Sequence, residues 1–390
     1  MMDESKTLKE ISYGDLGNRV HADGSGVAER RVPTDGMLEL TRLCSLKCTH
    51  CYIGDARWKK DPRELSTDQL KALMDALAER GTLWLTFTGG EALLRKDFKE
   101  LWLYAKQKGF ALVLFSNATL IDDKMAGFLE LHPPQCLEIS IYGATRETYE
   151  RVTLIPGSFD RFMRGIENVR KRGLPWVLKA PVIKELAGEI PQITALASEW
   201  GVRLVLDGEI NASIGEGQSG GKAPCASRLS EERLVDFALE DKNLLIEIKG
   251  MARERATAAM APKTDEPLFS CGAGSNMFYV NSRGDLQMCV LTHHRSENLY
   301  ADRTVADGFD ATWAKFGDFR KIKMRADSPC IACDLTGICK SCPGFAHLEN
   351  GDEHSAVEWL CRSTHLKALK TGLPHRCDIK HFVYTPPKKP

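Results

Sequence analysis

No stretch of this chain approaches the roughly 18 consecutive apolar residues that a membrane-spanning helix requires. The start, MMDESKTLKE, has no apolar run behind it and does not read as an export signal. Charge of one sign is missing too, since 53 Lys and Arg balance 53 Asp and Glu. That balance withdraws the electrostatic case for a nucleic-acid binder, though not for a local basic patch. There is no solenoid-type repeat and no long low-complexity tract. With 43% apolar and 27% charged residues the composition is that of a folded chain. At 390 residues it has room for a large core and two or three domains. These absences lead to the expectation of a soluble, cytoplasmic protein whose partners are neither nucleic acid nor membrane.

Cysteine, by contrast, is abundant: there are thirteen. A reducing compartment disfavours a disulfide framework. Thirteen buried small hydrophobes would be the bland explanation, but the spacing opposes it. Three lie at 44, 48 and 51, and seven more fall between 271 and 361, leaving Cys136, Cys225 and Cys377 isolated. Bunched thiols point to metal ligation.

Between 37 and 207 short apolar runs alternate with helical patterns. The runs are Met37–Leu43, Leu83–Phe87, Ala111–Phe115, Leu137–Ile141, Trp176–Ala180 and Arg203–Leu206, each a candidate buried strand. Ser66 and Gln69 form a capping box ahead of the periodic Leu70, Leu73, Met74 and Leu77, and Gly81 is placed to end that helix. Asp97–Lys108 repeats the pattern. Six strands alternating with helices predict an α/β fold with a parallel sheet, either doubly wound or a full or partial barrel. The reading divides the chain into an arm (1–36), the α/β unit (37–207), a flexible loop with connecting helices (208–270), a cysteine-rich segment (271–361) and a tail (362–390).

Cys44-x3-Cys48-x2-Cys51 directly follows the first strand. Three thiolates suit a soft metal, and His50, wedged between two of them, is an awkward fourth ligand for zinc. A three-thiolate loop leaves one iron of a four-iron cluster open. With Tyr52 after the triplet, the loop resembles the signature of the radical S-adenosylmethionine enzymes. The second strand ends in Thr86–Glu91, TFTGGE, similar to that family's glycine-glycine-glutamate motif. The resemblance implies a [4Fe-4S] cluster on Cys44, Cys48 and Cys51, and S-adenosyl-L-methionine held by Tyr52, Gly89, Gly90 and Glu91. Ser116, Asn117 and Ser140 resemble the family's polar strand ends facing the cofactor. The implied fold is a partial (β/α)6 TIM-like barrel.

The second group reads Cys271-x12-Gly284-x4-Cys289, then Cys330-x2-Cys333-x5-Cys339-x2-Cys342, then Cys361 after eighteen residues. A zinc ribbon would space its two knuckles further apart. The pattern resembles the SPASM extension of radical S-adenosylmethionine enzymes, although two residues rather than three separate Cys339 from Cys342. The resemblance implies up to two auxiliary [4Fe-4S] clusters. Cys330, Cys333, Cys339 and Cys361 would hold one, and Cys271, Cys289 and Cys342 three corners of the other. Cys225 is one option for its fourth ligand. Cys136 reads as a core thiol, and Cys377 has no assignment.

The family chemistry is reductive cleavage of S-adenosylmethionine to a 5′-deoxyadenosyl radical that takes a hydrogen atom from the substrate. The first expectation is a peptide maturase acting on a ribosomally made peptide or protein side chain. The alternatives are an enzyme of tetrapyrroles, haem precursors or other small molecules, and a non-catalytic iron–sulfur or zinc scaffold. Expected partners are a peptide substrate, possibly with a separate peptide-carrier protein, and a flavodoxin- or ferredoxin-like electron donor. Asp207 and Glu209, at the end of the sixth strand, are candidates for substrate binding or proton handling. Arg151 and Arg161 lie in the region where relatives contact the cofactor carboxylate. His293 and His294 closely follow Cys289, where they would tune a cluster or sit in an exposed loop.

Overall fold

The computed structural model describes residues 31–54, 58–214, 224–240, 245–246, 248–251, 266–331 and 333–375. Most of the expected arm, part of the 208–270 loop, Cys377 and the TPPKKP terminus lie outside the described residues.

Six strands run in chain order: β1 (Asp35–Thr41), β2 (Trp84–Gly89), β3 (Ala111–Ser116), β4 (Cys136–Ser140), β5 (Trp176–Pro181) and β6 (Leu204–Asp207). All pair in parallel, each with its sequence neighbour, so the order is 6-5-4-3-2-1 without reversal. A doubly wound sheet reverses its order at a switch point. The unreversed order, with β6 not returning to β1, gives a partial barrel and decides between the two options left open by spacing.

Helices α1 (Thr67–Glu79), α2 (Phe98–Gln107), α3 (Asp123–Leu131), α4 (Arg146–Thr153), α5 (Ser158–Lys171) and α6 (Ile190–Glu199) cross between the strands. The capping box of α1 forms in both directions: Gln69 N donates to Ser66 Oγ at 3.2 Å, and Ser66 N to Gln69 Oε1 at 2.9 Å. Asp97 precedes α2 but does not cap it. Its carboxylate instead accepts from Arg95 at 2.7 Å and from Thr67 Oγ1 at 2.6 Å, tying two crossovers together. Apolar faces meet on the sheet, as where Trp102 and Phe98 of α2 pack against Phe87 of β2. Full burial of each such side chain is worth roughly 1.5–3 kcal/mol.

The cysteine-rich segment does not begin as a separate body. Strand β7 (Met277–Val280) pairs in parallel with the free side of β1, and β8 (Asp285–Gln287) and β9 (Glu297–Asn298) continue antiparallel, giving one nine-stranded sheet. Phe278, Leu286 and, from α8 (Val305–Arg320), Phe309 and Phe316 belong to the barrel's own core. Beyond residue 325 the apolar clusters are small. They involve α9 (Pro343–Asn350), α10 (Glu358–Thr371) and the partner of α10, α7 (Glu231–Leu239). The tail expected from 362 therefore begins inside α10. No helix among the described residues is long and apolar enough to cross a membrane.

Candidate active site

A cavity of about 320 Å³ opens at the carboxyl ends of the barrel strands, the end at which this architecture carries chemistry. One wall is the loop after β1, with Cys44, Cys48 and Cys51. The others are strand ends: Gly89 and Gly90 after β2, Ser116 and Asn117 at β3, Glu138 and Ser140 on β4, Lys179 on β5, and Asp207 and Glu209 at β6. A larger, shallow groove of about 700 Å³ beside Trp176 and Trp200 lies at the opposite ends of β5 and β6, and no cysteine lines it.

The cysteine loop is held at both ends. At its start, Thr41 Oγ1 and Arg42 N donate to Glu64 Oε1 at 2.7 and 2.9 Å. At its middle, Lys47 N and Thr49 N donate to the Thr153 and Val152 carbonyls, docking the loop on the end of α4. Beyond Cys51, the Tyr52 carbonyl accepts from Ser213 Oγ and Ile214 N, both at 2.9 Å, tying the loop to the segment after β6.

The two glycines have a structural reason independent of any ligand. Gly90 N donates to Thr41 O at 2.8 Å and Glu91 N to Leu43 O at 2.7 Å, pressing this turn against the cysteine loop. A Cβ on Gly89 would lie 2.2 Å from Thr41 O, and one on Gly90 2.3 Å from Arg42 O. Gly89 also holds φ +149°, which side chains rarely adopt.

Glu91 does not line the cavity. Its side chain, 1% exposed, accepts from Ser116 Oγ at 3.1 Å, Asn117 N at 2.9 Å and Leu93 N at 3.3 Å. Burial pushes its carboxyl up to about 7 against those hydrogen bonds. From behind the cavity wall, Glu91 holds the end of β3 through Ser116 and Asn117. Ser116, Asn117, Ser140 and Tyr52 do reach the cavity wall, as do Asp207 and Glu209. Burial and then the neighbouring Asp207 raise the Glu209 carboxyl.

The cavity wall also carries residues that the sequence reading did not single out, among them Lys179, Glu138 and Tyr142. Lys179 donates to Glu138 at 2.6 Å and lies 4.6 Å over the Phe115 ring. Their signal was present as two charged residues in otherwise apolar strands. Tyr142 and His50 face each other at 5.4 Å. Arg151 and Arg161 are not in the wall, so the cation there is Lys179.

Two observations test whether the residues fit an iron–sulfur cluster. Cys44 Sγ accepts from Leu46 N at 3.4 Å and Asn117 Nδ2 at 3.7 Å, the kind of donor that stabilises a ligating thiolate. Beneath the loop, the fully buried Tyr149 hydroxyl has no hydrogen-bond partner among the described residues, and Cys48 and Cys44 are the foremost charges bearing on it. A sulfur-rich group on these thiols would relieve that orphan. The site fits.

The C-terminal cysteines fall into two groups. Cys330, Cys333, Cys339 and Cys361 line one cavity of about 100 Å³. Cys333 Sγ accepts from Leu335 N and Cys339 Sγ from Ser341 N, both at 3.4 Å. Cys271 and Cys342 both bear on Cys289, whose thiol burial pushes up to about 11, and Cys271 and Cys339 bear on Cys342. The foremost charges on Cys225 are Arg228 and Glu349, not that trio. Cys136 lies at the start of β4, its thiol also pushed up to about 11 by burial. The twelve described cysteines form no disulfide. His294 contacts Glu353 at 2.7 Å and stacks on His347 at 3.5 Å. It therefore belongs to a packed ionic network rather than to an exposed loop.

Residues 38–195 match the profile of the Radical SAM superfamily. The AdoMet-dependent heme synthase of Nitratidesulfovibrio vulgaris is 26% identical over 366 residues, covering 89% of this chain and 97% of that protein. The mycofactocin maturase MftC of Mycolicibacterium smegmatis is 27% identical over 305 residues, covering 77% of this chain and 76% of that one. Among solved structures, Streptococcus suis SuiB bound to S-adenosylmethionine superposes with a TM-score of 0.60 at 15% identity, over 90% of this chain and 82% of that one. SuiB is also solved with its precursor peptide SuiA. At that identity the likeness speaks to fold alone.

Proposed function

We propose that this chain, which matches the Radical SAM superfamily over residues 38–195, is an enzyme of that superfamily that abstracts a hydrogen atom from a peptide or protein side chain. The observation that carries this reading is one cavity lined by all three thiols and by the two cradle glycines, whose turn is pressed against the cysteine loop. When bound there, a [4Fe-4S] cluster and S-adenosylmethionine supply a reductively generated 5′-deoxyadenosyl radical. Cys44, Cys48 and Cys51 hold the cluster. The backbone at Gly89 and Gly90, with Ser116, Asn117, Ser140 and Tyr52, orients the cofactor. Glu91 acts from behind, fixing the end of β3. Asp207 and Glu209, at the end of β6 in the cavity wall, bind the substrate's polar groups or handle a proton.

In this reading residues 271–361 form a SPASM domain. Cys330, Cys333, Cys339 and Cys361 hold one auxiliary [4Fe-4S] cluster, and Cys271, Cys289 and Cys342 three corners of a second. A flavodoxin- or ferredoxin-like protein delivers the electron, and a separate carrier presents the peptide. A cytoplasmic, reducing setting suits thiols kept reduced for metal.

Similarity to MftC supports the peptide substrate. A second reading, a tetrapyrrole or haem-precursor substrate, is favoured by similarity along 97% of a heme synthase. It also draws on Lys340 and Lys367, whose positive charges bear on Glu209 at the cavity wall. Anaerobic reconstitution, metal analysis and a dithionite-driven assay for 5′-deoxyadenosine test the core of the proposal. About twelve irons with turnover is the expected result. Zinc without iron or turnover would overturn it. Adding candidate peptides or iron-coproporphyrin in deuterated form, and following deuterium into 5′-deoxyadenosine, separates the two substrate readings.

A further inference from the structure

One arginine joins the cavity wall to the C-terminal helices. Arg228 Nε donates to the Ile210 carbonyl at 2.8 Å, on the segment that supplies Glu209, Ile210 and Asn211 to the cavity. Its other nitrogens donate to both carboxylate oxygens of Glu349, a fork-on-fork pair near the end of α9. The guanidinium lies 4.5 Å over the Trp359 ring and 5.7 Å over Phe345. Trp359 Nε1 in turn donates to Leu229 O at 3.0 Å. The Arg228 side chain is only 10% exposed, so these contacts form largely out of water.

Both helices that grip Arg228 are anchored by cysteines. Cys342 is the N-cap of α9, its sulfur accepting from Phe345 N at 3.4 Å. Cys361 lies on α10 two residues after Trp359. On the other side, the segment pinned at Ile210 runs on to Ser213 and Ile214, which hold the Tyr52 carbonyl of the cysteine loop. The contacts are continuous: cysteine-anchored helices, Arg228, residues 210–214, Tyr52.

We propose that Arg228 is a positioning residue that couples the metal-binding C-terminal segment to the wall of the active-site cavity. The segment 208–214 keeps its place only while Arg228 is gripped, and the grip is firm only while α9 and α10 are held by their cysteines. The C-terminal metal centre therefore has a mechanical role at the first site, separate from any electron transfer. The coupling rests on the proposal that the C-terminal thiols bind metal; the Arg228 contacts themselves do not.

Hydrogen–deuterium exchange on the reconstituted full chain tests this. In Arg228→Gln, peptides covering 208–214 are expected to exchange about tenfold faster, the scale set by losing a hydrogen bond to a charged group. Peptides from β1 to β5 should be unchanged. A residue that merely stabilised the fold would speed exchange in both, and that result overturns the proposal, as does unchanged exchange at 208–214. Cys333→Ala should speed exchange at 208–214 in the wild-type background and add nothing in Arg228→Gln. Additive effects would overturn the coupling. Should Arg228→Gln fail to fold, Trp359→Phe keeps a ring under the guanidinium but loses the bond to Leu229 O. It should shift exchange in the same direction by less, and no shift would count against the proposal. If the chain takes up no iron, the Arg228→Gln comparison still reads out, so failure here is distinguishable from failure of the metal reading.

Discussion

The two cysteine-bearing regions are built in opposite ways. The first triplet sits on a loop rooted in the largest apolar core, from Leu38 on β1 to Phe316 on α8. Its scaffold stands without metal, and the thiols are presented to a cavity. Among the described residues, the C-terminal helices pack on two small clusters, Ile248, Leu335, Ile338, Ala368 and Leu373, and Phe345, Ala346, Val357 and Leu360. Cysteines are interleaved with both: Cys333 packs on the first and Cys342 on the second. So little apolar burial sits near the margin for independent stability. On the proposed reading, metal ligation there would contribute folding free energy as well as chemistry.

The sharpest way to break the comparison is Cys48→Ala. Formation of 5′-deoxyadenosine should fall to background and iron by about four per chain, while far-ultraviolet circular dichroism stays as in the wild type. A lost barrel signature would mean that the first site, too, depends on metal for its fold. Stripping all metal with a chelator should have the reverse regional effect. Limited proteolysis should then cut first within 325–375 and leave the barrel as a resistant fragment. Cys333→Ala should do the same more mildly, lowering iron by about one cluster.

Gly90→Ala probes the barrel's cradle. Its Cβ would meet backbone oxygens of Arg42 and Leu43, which cannot rotate away. A loss of about 1–3 kcal/mol is expected from the denaturant midpoint, with cofactor binding weakened in parallel.

A pH dependence of opposite sign separates the two regions. Glu91, in the barrel, is buried without a cation, and burial pushes it from 4.5 up to about 7. Its folded form binds the proton more tightly than the unfolded chain. Its contribution is therefore present below about pH 4.5 and lost as pH rises through about 7, on the order of 3 kcal/mol. Glu353, in the C-terminal segment, is pushed up by burial, but Arg295 and His294 outweigh that and hold it at about 2. Its contribution is present above about pH 4.5 and lost as pH falls through about 2. Thermal melts across pH should show Glu91→Gln flattening the neutral-side decline and Glu353→Gln the acid-side one. Equal slopes in the two variants would refute the contrast.

Much was legible in sequence because it is local. The strand runs, the α1 capping box and the thiol spacing depend on neighbours within a few residues, and each expected strand appears within a few residues of its place. Cys330, Cys333, Cys339 and Cys361, grouped by resemblance alone, line one cavity, a neighbourhood that spacing does not encode. Three things required the folded chain. Strand order decided that the sheet is a partial barrel, because alternation of strands and helices is common to both architectures. The surroundings of Glu91 were set by β3 lying beside β2, which brings Ser116 and Asn117 to its carboxylate. The union of β7 with β1 dissolved the boundary expected at 271, since edge pairing is decided by which backbone is left unpaired. Sequence by itself determined which residues can ligate metal and where the chain turns. Only tertiary structure decided which of them face the same cavity, because that depends on contacts between residues up to hundreds of positions apart.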